Sequence, residues 1–161
     1  MATLVSLLGV ILVGIIALGA VFLGGMRAKW PPVVNGIRRL NMRVLNPRQM
    51  DTAGEPGAFA AVLRHTGRTS GKTYETPLGI EATDDGFVIA MVYGDQTQWA
   101  RNVLASGAAG IVKEGVSYDV ERPEIVPMAD AIDLFPPSDQ RMFRIFGVKD
   151  CFRVYRVEAD D

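Results

Sequence analysis

The chain has 161 residues, enough for one domain plus an appendage. A net charge of −1 and a sequence pI near 5.8 argue against a nucleic-acid partner. One cysteine, Cys151, excludes an intramolecular disulfide and a cysteine-rich metal site, and one histidine, His65, excludes a paired-histidine metal motif.

Residues 4–23 carry no charge. Twenty helical residues at ~1.5 Å each reach ~30 Å, one hydrocarbon core. The run is too long for a signal-peptide core and no Lys or Arg precedes it, so it reads as an uncleaved single-pass anchor in the cell membrane. Arg27, Lys29, Arg38, Arg39 and Arg43 all lie C-terminal to it, which places the remainder in the cytoplasm by the positive-inside rule. Trp30 sits where an interfacial aromatic belongs.

Pro31-Pro32 breaks the anchor helix. A second helix is expected over 33–45. It puts Val33, Ile37, Leu40 and Val44 on one face and Arg38, Arg39 and Arg43 around the other. Such a basic amphipathic helix suits either a headgroup layer or a packed domain surface. Asn46-Pro47 and the stretch 52–57 read as linker, so the expected organisation is anchor 1–25, basic helix and linker 26–57, and a cofactor-binding domain 58–161.

From residue 58 the pattern turns mainly to strands. These are expected at 58–65, 73–82, 87–93, 109–114, 117–122 and 151–157. Asp84-Asp85-Gly86 and Gly115 supply the turns. A helix is expected over 96–106, capped by Asp95 and closed by Gly107, with short helices at 128–135 and from Ser138 to Phe146. Hairpins with one central helix indicate an α+β domain on an antiparallel sheet, and so many strands in so short a chain favour closure into a barrel.

The loop Thr66-Gly67-Arg68-Thr69-Ser70-Gly71-Lys72-Thr73 holds two glycines, four hydroxyls and two cations. Glycine freedom would let its amides converge, and Arg68 and Lys72 add charge, as an anion site requires. A solvated basic hairpin is the plainer reading of the same residues. A P-loop is excluded: only three residues separate Gly67 from Gly71, and an extended segment follows where a helix is needed.

The run Leu63-Arg64-His65-Thr66-Gly67-Arg68-Thr69-Ser70-Gly71-Lys72, then Tyr74 to Leu78, Tyr93-Gly94, Trp99 to Gly107 and Arg122-Pro123, resembles the deazaflavin-dependent nitroreductase family. That family is a branch of the flavin-like split β-barrel oxidoreductases, and the resemblance covers about residues 58–158. It implies an antiparallel, FMN-binding-like split β-barrel that binds coenzyme F420, a deazaflavin with a phosphate and a polyglutamate tail, with FMN the lesser alternative. By the same resemblance Arg68, Ser70, Gly71 and Lys72, in the loop that Thr66 opens, would hold the phosphate or the acidic tail. Pro77, Leu78 and Gly79 would lie along the deazaflavin ring. Trp99 and Asn102, one helical turn apart, would sit near the coenzyme or pin the helix to the barrel. Two positions depart from the family's pattern. Val92-Tyr93 stands where better-known members carry Ser-Lys, and Ala100 stands where many carry Tyr.

The function this implies is hydride transfer from reduced F420 to a small lipophilic acceptor, quinone- or nitro-type, beside a membrane. Tyr93 is the first candidate for the proton donor, Tyr74 the second and solvent the third. His65 reads as structural. A non-catalytic membrane-anchored module that binds a cofactor, lipid or protein is the alternative. A homodimer and a place in a membrane complex are both left open, and no metal set is found.

Overall fold

The computed structural model describes residues 2–157, so residues 158–161 of the expected barrel domain lie outside the described residues. The chain begins with α1 (Ala2–Arg27), in which Val5–Arg27 is long and apolar enough to cross a membrane. Most of α1 is exposed. Only its end packs: Met26 is buried, and Phe22 meets Phe146 edge to face with centroids 6.2 Å apart.

After the break at Lys29–Trp30, α2 (Pro31–Leu40) continues through a π-helical turn, Asn41–Leu45, into α3 (Asn46–Met50). The expected stop at Asn46-Pro47 does not occur. Pro47 falls in the first turn of α3, where a missing N–H costs nothing.

The barrel strands are β1 (Ala61–Thr66), β2 (Thr73–Leu78), β3 (Glu81–Ala82), β4 (Gly86–Ala90), β5 (Ala108–Lys113), β6 (Val116–Pro127) and β7 (Asp150–Arg156). Every pairing is antiparallel, in the order β2-β1-β5-β6-β7-β4-β3. The two edge strands, β2 and β3, are joined by only Gly79 and Ile80. The three Cα steps from Leu78 to Glu81 reach at most ~11 Å, so the sheet must curl until its edges approach each other. The result is an α+β split barrel. The expected single strand 73–82 is therefore two strands on opposite edges, with the corner at Gly79.

Other expected boundaries move as well: β1 begins at Ala61 rather than at residue 58, and β4 ends at Ala90 rather than at residue 93. The helix after the third strand is α4 (Gln98–Ser106), with Thr97 rather than Asp95 at its start and Gly107 at φ 75° after its end. β6 does not stop at Arg122. A bulge between Glu121 and Glu124, with Arg122 at φ 52°, carries it past Pro123, whose absent N–H a bulge tolerates. α5 (Met128–Ala131) is one turn followed by a 3-10 turn, and α6 (Pro137–Phe146) starts one residue before Ser138.

Two apolar clusters flank β4 and β7. Phe87, Ile89, Phe152 and Val154 fill the barrel with Leu63, Ile111 and Val120, and Ala100 and Val103 of α4 join them. Val88 and Cys151, on the opposite face, pack under α5 and α6 against Phe135 and Phe143. This two-sided burial explains the unbroken apolar run of β4. Burying each such side chain contributes about 1.5–3 kcal/mol. β4 and β7 also approach closely at Gly86, where a Cβ would stand 2.0 Å from the Val154 carbonyl oxygen.

Candidate active site

A cavity of about 1000 Å³ lies between the α2–α3 segment and the barrel. Its floor is β2 with Gly79, its sides are α4, α6 and the Gly67–Ser70 loop, and the end of α1 contributes Phe22 and Met26. Most lining groups are apolar.

Of the residues expected at the coenzyme, Arg68, Ser70, Pro77, Leu78, Gly79, Trp99 and Asn102 line this cavity, as do Tyr74 and Tyr93. Thr66 and Gly71 line a smaller one of about 310 Å³, which shares Gly67, Arg68 and Asn102 with the first. Lys72 lines neither. Arg68 thus stands where the two cavities meet.

The expected convergence of loop amides is only partly realised. The hairpin consumes them: Gly67 N–H donates to Lys72 O at 2.8 Å, and Gly71 N–H to Gly67 O at 2.8 Å. Arg68 N–H goes to Asn102 Oδ1 and Lys72 N–H to Ser70 Oγ. Gly71, at φ 66°, takes the backbone conformation that the turn requires. Among the described residues, of the amides at positions 67–72 only those of Thr69 and Ser70 stay without a protein acceptor.

The Arg68 guanidinium donates to Gln98 Oε1 and Asn102 Oδ1, both at 2.9 Å. Neither acceptor is charged. Among the described residues no carboxylate pairs with Arg68, whereas Arg64 pairs with Glu75 at 2.8 Å. A fixed, unneutralised cation is what an anionic tail needs.

Asn102 is buried and serves two partners. Besides Arg68 it bonds His65 Nδ1 at 3.1 Å. His65 is also buried, bonds Thr76 Oγ1 at 3.2 Å and stacks on the Tyr74 ring. Burial pushes its pKa down, so the ring is neutral. Trp99 both lines the cavity and packs edge to face on Phe152, with ring centroids 5.1 Å apart. Ala100 is fully buried in the barrel core.

The two tyrosines differ. The Tyr74 hydroxyl is engaged with Ser70 Oγ at 3.1 Å. Tyr93 receives a hydrogen bond from Asn41 Nδ2, which leaves its own proton free to be donated. Burial raises the Tyr93 pKa and the Asn41 bond partly offsets this, so the phenol stays protonated at neutral pH. Cys151 lines neither cavity, and burial pushes its thiol up to about 11, which removes it as a nucleophile.

Sequence reasoning missed the contributions of α2 and the π turn, Arg38 and Asn41, and those of Gln98 and Thr97. Thr97 lines the cavity, and its buried hydroxyl has no partner among the described residues. The unneutralised Arg68, this orphaned hydroxyl and the apolar volume together fit a ligand with an apolar body, a polar group and an anionic tail.

Comparison with curated proteins gives no match. Among solved structures, the chain is similar to an F420 reductase, at 13% identity over 67% of this chain and 92% of that one, TM-score 0.44. It is similar to the F420-H2-dependent reductase FDR-A, at 17% identity over 60% and 93%, TM-score 0.45. It is also similar to the heme storage protein HutZ of Vibrio cholerae, at 10% identity over 70% and 90%, TM-score 0.49. The model of the F420H2-dependent quinone reductase family matches residues 41–132, from the π turn to the first residue after α5. The chain belongs to that family, and so is an oxidoreductase whose cofactor is coenzyme F420.

Proposed function

We propose that the protein is a membrane-anchored, cytoplasm-facing reductase that passes hydride from reduced F420 to a lipid-soluble quinone. The observation that carries this is the shared wall. Phe22 and Met26, at the end of the helix long enough to cross a bilayer, also line the apolar cavity. An acceptor dissolved in the membrane would meet the cavity without crossing water.

Three contacts support a fixed anchor. Arg27 Nη1 donates to the last carbonyls of α6, Arg144 O at 3.0 Å and Ile145 O at 2.8 Å. Lys29 Nζ donates to Val92 O at 2.8 Å. These bonds hold the barrel at a set distance from the membrane helix. The cluster Arg38, Arg39 and Arg43 beyond α1 favours the cytoplasmic side.

When bound, the coenzyme supplies a hydride, two electrons at once. A quinone that accepts it needs one proton to become the quinol. Tyr93 can donate that proton, because its hydroxyl already accepts from Asn41 and its raised pKa keeps it protonated. Arg68 would hold the anionic tail, with the free Thr69 and Ser70 amides beside it. Pro77, Leu78 and Gly79 would form the surface under the ring, and Trp99 and Asn102 would set the adjoining wall. Thr66 and Gly71 line the smaller cavity, where the far end of the tail would lie.

The test is an acceptor series with the full chain in lipid vesicles and reduced coenzyme added outside. Quinones with long isoprenoid tails should be reduced faster than tailless ones of equal potential. Equal rates, or a preference for the tailless quinone, would refute the membrane route.

A further inference from the structure

A chain of hydrogen bonds behind the cavity fixes the position of one proton. Asn102 Oδ1 accepts the Arg68 backbone N–H at 3.2 Å and Nη1 at 2.9 Å. Both partners are obligate donors, so the amide has one orientation, oxygen toward Arg68. Asn102 Nδ2 must then donate to His65 Nδ1 at 3.1 Å. A ring nitrogen that accepts carries no proton, so the neutral ring carries its proton on Nε2. Nε2 in turn donates to Thr76 Oγ1 at 3.2 Å. Thr76 is used as an acceptor, and among the described residues its own hydroxyl proton has no acceptor. Thr76 lines the large cavity.

We infer that Thr76 is a ligand-binding residue, donating a hydrogen bond to a carbonyl oxygen or unprotonated ring nitrogen of the molecule in the cavity. His65 and Asn102 are positioning residues. They hold the polarity of that donor and link it to the Arg68 cation, which strengthens each bond along the line. The inference rests on the reading of this cavity as the site of coenzyme and acceptor. Both molecules present ring carbonyls, so the experiment separates them.

The full chain in detergent micelles, carrying ¹⁵N-labelled histidine, is examined by long-range proton–nitrogen correlation at neutral pH. The expected result is one neutral histidine protonated on Nε2. Thr76→Val and Thr76→Ser are then titrated with oxidised F420, followed by its fluorescence, and with a short-tailed quinone, followed by quenching of tryptophan emission. Losing one hydrogen bond costs about 0.5–1.5 kcal/mol, a weakening of up to about tenfold. Thr76→Val should show it toward one ligand, and Thr76→Ser should bind within about twofold of wild type. The affected arm names the molecule that accepts the bond. A histidine protonated on Nδ1 overturns the assignment. So does a Thr76→Val protein that melts as wild type and binds both ligands undiminished. A wild-type chain that binds neither ligand overturns the cavity reading itself, and the Thr76 assignment with it.

Discussion

Replacing Arg68 with alanine should weaken F420 binding while Lys72→Ala leaves it nearly unchanged. The sequence presents the two as equivalent loop cations, but only Arg68 lines the cavities. Arg68 is held by two amide oxygens at 2.9 Å and has no carboxylate to break from, so its charge is available to an anion. A hydrogen bond to a charged group contributes about 1.5–3 kcal/mol. The Arg68 side chain is exposed, and solvent screening reduces this to about 1–2 kcal/mol. That corresponds to about 5–30-fold in Kd. Lys72→Ala should stay within about twofold. The assay is fluorescence titration of the coenzyme at low and high salt, with thermal melts of each variant. The wild-type Kd should rise with salt and that of Arg68→Ala should rise less, because the screened charge is gone. Equal losses in the two variants, or no loss in Arg68→Ala, would refute the assignment of the anion site to Arg68.

Asn102→Leu should destabilise the fold, because it strands His65 Nδ1 and the Arg68 amide. The cost is about 2–3 kcal/mol, a fall in Tm of roughly 4–10 °C by calorimetry. His65 should make stability depend on pH. Its folded pKa lies below the ordinary 6.5, so above that value both states are neutral and nothing is lost. As pH falls from 6.5 toward the folded pKa, the unfolded chain binds more protons and stability drops. Denaturant midpoints at several pH values should show this, and His65→Gln should flatten it. Tyr93→Phe should lower kcat for quinone reduction by about a hundredfold with little change in coenzyme Kd, whereas Tyr74→Phe should change kcat only a few-fold. Single-turnover kinetics beside binding titrations would separate the two effects.

Local pattern carried much of this architecture. Phe152, Val154 and Arg156 alternate along the predicted last strand, and Arg156 lies over the Phe87 ring of the barrel core, 4.9 Å from its centroid. The apolar run of the third predicted strand matches its burial on both faces in β4. The spacing of Trp99 and Asn102 put them on one helix face, and both line the cavity. What the sequence could not carry depended on partners distant in the chain. The loop glycines suggested free amides, but the count of free amides depends on which ones the hairpin spends on Lys72 O and Gly67 O. His65 read as structural, but the partners that hold it, Thr76 and Asn102, lie 11 and 37 residues away. The corner at Gly79 is invisible in a continuous extended pattern, since it is set by barrel closure. The Asn46-Pro47 stop failed because a proline that ends one helix also suits the first turn of the next.

The most direct test of the account is anaerobic mixing of the purified full chain, in lipid nanodiscs, with one equivalent of reduced F420 and a long-tailed quinone. The coenzyme's oxidised fluorescence should appear together with one equivalent of quinol, far faster than without protein. Tight binding of the reduced coenzyme with no quinol formed above the uncatalysed rate would contradict it.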